Sequence, residues 1–179
     1  MSEWASPMFT LMKPDGSLRS LADLRELNKR IKRKPFPLPK IVALLQSLEG
    51  FSYASSLDLN MGYYHIQLSP YSSSLCTVVL PWGKYEHLCL PMGLCKSPDI
   101  FQEKMGDLME GLEFARAYID DLLVVSKGTL QKHLDQLEQV LQRLNKAGLK
   151  VNVSKSHLCT TELEYLGYLI NRQGVRCTL

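Results

Sequence analysis

The stretch AYIDDLLVVS, residues 117–126, sets two carboxylates, Asp120 and Asp121, between two apolar runs. Neighbouring side chains of a strand point to opposite faces, so both aspartates can face one site only if the chain turns there. Aspartate tolerates tight turns, and each flanking run is short enough to be one of two paired strands. The stretch therefore predicts a hairpin with both carboxylates at its tip and its flanks held in the core. Crowded carboxylates repel, and one takes up a proton unless a cation lies between them. Magnesium is the usual remedy, binding one or two carboxylates together with substrate phosphates. An Asp-Asp pair alone more often caps a solvated turn, but a solvated turn does not need apolar runs on both sides. A third carboxylate, Asp58, ends the run YASSLDL just before NMGYY. The end of a strand before a chain reversal is a common ligand position, although Asp58 taken singly serves equally well as a helix N-cap. Three carboxylates would allow a two-metal site.

Working outward, Thr10 to Arg19 predicts a hairpin turning at Lys13-Pro14-Asp15-Gly16, and Leu24 to Ile31 a short helix. Pro35, Pro37 and Pro39 set an extended connector before a second helix over Ile41 to Leu48. Tyr53 to Leu59 is a strand, and Cys76 to Leu80 and Tyr85 to Leu90 flank a turn at Pro81-Trp82-Gly83-Lys84. A helix opens at Ser97, with Pro98 at its first position, and runs to about Glu110. Leu130, Leu134, Leu137, Leu141 and Leu144 form the apolar stripe of a helix from Leu130 to Ala147, between Thr129 as N-cap and Gly148 as C′ residue. Leu149 to Val153 and Leu163 to Ile170 complete the strands. The order lacks a strict βαβ rhythm, which favours an α+β fold with a mainly antiparallel sheet.

The bulk numbers agree with a folded protein. The chain has 179 residues, 45% of them apolar and 22% charged, with a net charge of +3 that announces no nucleic-acid partner. The basic residues Arg25, Lys29, Arg30, Lys32, Arg33, Lys34 and Lys40 cluster with Glu26 as the only acid among them. Such a segment is equally a phosphate-attracting patch or a solvated helix face or nuclear-targeting-like run. The five cysteines contain no C-x-x-C pair, which points to reduced thiols in an intracellular, cytoplasmic or nuclear protein. No apolar run approaches the roughly 20 residues of a membrane helix, and MSEWASPMF lacks a signal-peptide pattern. No membrane partner is expected.

Taken together, these segments resemble the reverse transcriptase family, in particular the RNA-directed DNA polymerase domain of gypsy-type long-terminal-repeat retrotransposons. KPDGSLRSLADLRELNKRIKRKPFPLPKI resembles the fingers hairpin and the connector into the palm, and SLDLNMGYYHIQL the first catalytic motif. LPMGLCKSPDIFQ resembles the motif that positions template and nucleotide, and AYIDDLLVVS the Y-x-D-D hairpin. AGLKVNVSKSHL and ELEYLGYLI resemble the two motifs that close the palm. All occur in the family's order.

The resemblance implies a polymerase palm, an antiparallel sheet backed by helices, with a fingers subdomain. Fingers would occupy approximately residues 1–34 and 66–96, and palm approximately 35–65 and 97–179. Asp58, Asp120 and Asp121 match metal-binding aspartates, with the backbone carbonyl of Leu59 also facing a metal; the cofactor implied is Mg²⁺, two ions, with Mn²⁺ as a substitute. Lys13 and Arg19 match residues that hold the triphosphate, and Tyr63 an aromatic steric gate against a 2′-hydroxyl. Met92 and Gly93 match positions lining nucleotide and template. Lys155 matches a lysine that protonates the leaving pyrophosphate, and Leu166, Gly167 and Tyr168 the primer-grip turn. The partners implied are an RNA or DNA template with its primer, deoxynucleoside triphosphates, and the polyprotein neighbours of such elements.

Two departures qualify this. In RSLADLR, residues 19–25, Ser20 and Leu24 stand where the family usually places packing aromatics, a change that costs on the order of 1–4 kcal/mol wherever the site is buried. The chain is also expected to lack the family's thumb, connection and RNase H regions, which would weaken its hold on a duplex. The alternative to an active polymerase fragment is an inactive retroelement remnant, at most a nucleic-acid-binding module.

Overall fold

Antiparallel pairing dominates the architecture, as the absence of a βαβ rhythm predicts. The computed structural model describes residues 2–12, 16–33, 35–38, 48 and 50–177. The helix expected over residues 41–48 and the turn residues 13–15, Lys13 included, lie outside the described residues, apart from Leu48. The chain divides into two compact units, Met1–Pro35 with Tyr63–Phe101, and Phe36–Gly62 with Gln102–Leu179.

In the first unit, β1 (Ser6–Met12), β2 (Leu18–Ala22), β4 (Thr77–Leu80) and β5 (Gly83–Glu86) form one sheet in the order β2-β1-β4-β5. The β1–β2 and β4–β5 pairs are antiparallel, whereas β1 runs parallel to β4. Two short helices, α1 (Arg25–Arg30) and α2 (Pro70–Leu75), belong to this unit. Ser69 caps α2 by accepting from the Ser72 amide, with Pro70 at the first helical position. The core gathers Leu24, Leu27, Cys76, Leu90 and Leu94. Leu24 is thus buried, but Ser20 is exposed. The packing penalty expected for losing two aromatics applies at one position only.

The basic segment is largely occupied within this unit. Arg25 forms a two-pronged contact with Asp23, Lys29 pairs with Glu26, and Arg33 grips the buried Asp99. Arg30 stacks over the Trp4 ring at 5.2 Å. These contacts favour the reading of this helix as a structural surface over one of unpaired cations awaiting phosphate.

In the second unit, β3 (Tyr53–Leu59), β6 (Ala115–Tyr118), β7 (Asp121–Ser126) and β8 (Val151–Thr160) form an antiparallel sheet ordered β6-β7-β3-β8. Strand β8 runs well past the expected end at Val153, and two register shifts interrupt its pairing with β3. The run from Leu163 to Ile170 is two strands rather than one, β9 (Glu162–Tyr165) and β10 (Tyr168–Asn171), and β11 (Gly174–Cys177) joins them in a second sheet. Register puts Ala54, Ser56 and Asp58 on one face of the first sheet with Val125, Leu123 and Asp121. That face contributes Ala54 and Leu123 to a core with Leu163, Tyr165 and Ile170 of the β9–β10 hairpin.

The opposite face carries Tyr53, Ser55 and Leu57 beside Ser126, Val124 and Leu122. Helix α4 (Leu130–Lys146) packs here. Thr129 caps its start, and the amides of Gly148 and Leu149 close its end on the carbonyls of Asn145 and Leu144. Its buried stripe is His133, Leu137, Val140 and Leu144. Leu130, Leu134 and Leu141 are instead exposed. The leucine spacing found the helix, but a buried histidine turns its inner face aside from the leucine row. Helix α3 (Ser97–Met109) begins in the first unit and continues into the second.

Candidate active site

The three aspartates come together through backbone pairing. Asp58, near the end of β3, lies directly opposite Asp121, the first residue of β7. Directly opposed residues of an antiparallel pair project from the same face. The Leu59 amide donates to the Asp120 carbonyl at 3.1 Å, tying the end of β3 to the β6–β7 turn. Tyr118 pairs with Asp121, so the turn itself is Ile119 and Asp120. Only Asp120 sits at the tip, because Asp121 already belongs to β7. The expectation that both would do so is corrected by one residue of register.

Ile119 has φ of 53°, a left-handed conformation that is unfavourable for a β-branched side chain. A buried amide side chain holds it there. Gln102 of α3 accepts from the Ile119 amide at 2.7 Å and donates to the Ala117 carbonyl at 3.0 Å. Gln102 was not singled out from the sequence. A polar residue between the buried Phe101 and Met105 was the signal that could have found it.

Burial, then the charges of Asp121 and Asp58, raise the Asp120 carboxyl above its ordinary range. Burial, then the charge of Asp58, does the same to Asp121. One oxygen of Asp120 is buried without a hydrogen-bond partner. A carboxylate oxygen in that state costs free energy unless it is protonated or meets a cation. Among the described residues, no group of three or more His, Cys, Asp or Glu side chains is gathered closely enough to enclose a metal ion. The donor set is hard oxygen and open, which fits a magnesium ion that completes its shell with substrate oxygens.

Lys155 Nζ stands 3.9 Å from an Asp58 carboxylate oxygen. The interrupted register of β8 delivers it there. Asp58 pairs with Asn152 and Ser56 with His157, so two steps along β3 span five along β8. Ser156, in this bulge, accepts from the Asp58 amide at 3.1 Å and donates to the Asn152 carbonyl at 2.7 Å.

Leu166 and Gly167 form the turn between β9 and β10, both with positive φ, 52° and 79°. Two positive values suit a two-residue turn of type I′. Leu166 and Tyr168 pack on the core that contains Ala54 and Leu123. Beside them the buried Tyr165 hydroxyl reaches the Asp121 carbonyl at 3.5 Å. Burial first, and the Asp121 charge second, hold the Tyr165 phenol well above its usual range.

The remaining expected site residues belong to the other unit. Arg19 lies exposed on β2, opposite Leu11. The Tyr63 ring leans on buried Phe101, centroids 5.2 Å apart and planes at 60°. Met92 precedes Gly93, whose φ is 94° and where a Cβ would meet the Ala22 carbonyl at 3.4 Å. Asn28 clamps this turn, donating to the Gly93 carbonyl and accepting from the Cys95 amide, each at 2.8 Å. Asn28 was also missed; its signal was an amide beside Leu27 in a short helix whose remaining residues are charged.

Comparison with known proteins follows the same outline. Residues 11–170 match the model of the family described as reverse transcriptase (RNA-dependent DNA polymerase). A retrovirus-related Pol polyprotein from transposon opus of Drosophila melanogaster is 34% identical over 98% of this chain and 18% of its own length. The Pro-Pol polyprotein of simian foamy virus type 1 is 32% identical over 94% of the chain and 15% of its own length. The chain thus spans under a fifth of either relative. Among solved structures, a foamy viral protease-reverse transcriptase in complex with double-stranded DNA superposes with a TM-score of 0.93 at 28% identity, over 99% of this chain and 31% of that one. Another, in complex with an RNA/DNA hybrid, gives 0.90 at 27% identity, over 99% of this chain and 24% of that one. The fold is the α+β architecture of a polymerase palm with fingers.

Proposed function

This chain belongs to the reverse transcriptase family, and on that premise we propose that it adds deoxynucleotides to a primer 3′-hydroxyl on an RNA or DNA template. Fingers correspond to about residues 1–34 and 66–96, and palm to about 35–65 and 97–179. The observation that carries the proposal is the backbone pairing of Asp58 with Asp121, tied to Asp120 by the Leu59 amide. Asp58, Asp120 and Asp121, with the Leu59 carbonyl, would hold two Mg²⁺ ions, for which Mn²⁺ can substitute. Bound there, the metal supplies charge neutralisation at the phosphate and a more acidic primer hydroxyl.

The chain's own groups do the rest. Lys155, on the flank of the carboxylates, donates a proton to the departing pyrophosphate. Arg19, with Lys13, binds triphosphate oxygens through charge-assisted hydrogen bonds. Tyr63, steadied by Phe101, excludes a 2′-hydroxyl by collision. Met92 and Gly93 line nucleotide and template, and Asn28 fixes their turn. Leu166, Gly167 and Tyr168 hold the primer end. Most of the acceleration comes from position and charge, as in related phosphoryl transfers.

The test is primer extension on an RNA template with deoxynucleotides and Mg²⁺ at low salt, with Asp58→Asn and Asp120→Asn as folded controls. Extension by the wild type that both variants lose is expected. A folded wild type that binds primer-template and adds nothing would overturn the proposal and leave a nucleic-acid-binding module.

A further inference from the structure

Behind the carboxylate-bearing face lies a polar chain that crosses three strands and a helix. His133 of α4 is fully buried, with Nε2 2.8 Å from Ser55 Oγ on β3 and Nδ1 2.6 Å from Ser126 Oγ on β7. Ser126 gives its one hydroxyl proton to the Gln136 side-chain carbonyl. It must therefore accept from His133 Nδ1–H. Nε2 is then the bare nitrogen and takes the proton of Ser55. Ser55 Oγ in turn accepts from the Cys159 amide at 2.9 Å. With the Gln136 carbonyl as acceptor, the neutral Nδ1–H tautomer gives every donor in this chain one acceptor. Burial also lowers the His133 pKa, in keeping with a neutral ring.

Its position relative to the sheet gives this network a purpose beyond filling the core. On the helix-facing side of β3 and β7 the other central residues are Leu57, Leu122 and Val124, all buried and apolar. A slip of two residues keeps every side chain on its own face and merely exchanges one aliphatic contact for another. It would, however, set Asp58 opposite Leu123 or Ile119 instead of Asp121. Apolar packing discriminates weakly against such a slip. The two serines discriminate strongly, because a slip strands buried hydroxyls and an imidazole without partners. The network reaches β8 as well: Cys159, with φ of 54°, lies between the Ala54–Thr160 and Ser56–His157 pairs, where the register shifts. The same β8 register goes on to bring Lys155 to Asp58.

We propose that His133 is a positioning residue for nucleotide addition, fixing through Ser55 and Ser126 the one strand register in which Asp58 opposes Asp121 and Lys155 reaches Asp58. The proposal rests on the polymerase reading. Its test is therefore built with two readouts. The first is NMR of ¹⁵N-histidine-labelled protein together with cross-strand contacts between residues 58 and 121, for the wild type, Ser55→Ala and His133→Phe. The second is single-turnover primer extension. The expected results are a neutral Nδ1–H tautomer in the wild type and weakened 58–121 contacts in both variants. The chemical step should slow by about 100-fold, with little change in KM for the nucleotide. Ser55→Ala, the smaller change, keeps the test informative should His133→Phe fail to fold. Folded variants that keep the 58–121 contacts and the wild-type rate would overturn the proposal, as would an Nε2–H tautomer. A wild type that extends nothing would refute the polymerase reading alone, since the register readout decides this proposal independently.

Discussion

Replacing Gln102 by Met tests whether one buried amide holds the turn at Ile119 and Asp120 in shape. The substitution nearly preserves volume and removes two hydrogen bonds, to Ile119 N–H at 2.7 Å and Ala117 C=O at 3.0 Å. Each bond contributes about 1 kcal/mol net, and stranding its backbone partner adds up to about 1 kcal/mol more for groups that water partly reaches. The sum is about 2–4 kcal/mol. At about 2–4 °C per kcal/mol for a chain of this size, Tm should fall by roughly 4–16 °C. The Ile119 amide should also lose its protection against hydrogen exchange, because its left-handed conformation no longer has a clamp. Extension should slow more than global stability explains, since Asp120 is the next residue in the turn. Urea unfolding, amide exchange and single-turnover extension check these together. A Met variant within about 0.5 kcal/mol of wild type, with the Ile119 amide still protected, would refute the clamp.

Other substitutions separate charge, geometry and packing. Asp120→Asn should stabilise the folded chain at neutral pH, because the Asp120 pKa is raised by burial and by two neighbouring carboxylates. The sign follows from proton binding: the folded state holds the proton more tightly, so the wild type loses stability as pH rises from 3.8 through the raised value. The variant's advantage in urea unfolding should appear over that window and vanish below it. Lys155→Ala should change stability by under about 0.5 kcal/mol, since its pair with Asp58 is largely solvated. It should nevertheless slow extension by about 100-fold or more if Lys155 delivers a proton. Tyr63→Ala should raise ribonucleotide incorporation relative to deoxynucleotide by about tenfold or more, measured as a ratio of kcat/KM. Gly93→Ala should cost about 1–2 kcal/mol for the left-handed backbone alone, read from urea unfolding.

The hairpin at Asp120, the strand ending near Asp58 and the long amphipathic helix were legible because each announces itself within about ten residues. Alternating or periodic apolar residues and a turn signal suffice for that. What was not legible depended on partners distant in sequence. Nothing near Val153 says that β8 continues to Thr160, because its pairing is set by Ser56 and Asp58 about a hundred residues earlier. The inner face of α4 could not be chosen from its leucines, because the residue that decides it is His133, matched to serines on two strands. Gln102 and Asn28 left only weak local signals for the same reason: each satisfies backbone groups of another segment. Whether Ser20 stands at a buried site was left open, because a missing aromatic leaves no mark of burial in the sequence.

The irregular course of β8 also bears on how readily the second unit could pair with copies of itself. Strand β8 is an outer strand of its sheet, and Val153 and Leu158 are exposed on it, 76% and 49%. A straight outer strand with such side chains would offer evenly spaced amides and carbonyls to another chain. Here the insertions around residues 153–156 and at Cys159 break that spacing, so an incoming strand could match only a few consecutive groups before losing step. The kinks that carry an amine toward a carboxylate therefore also guard an exposed border against β-aggregation.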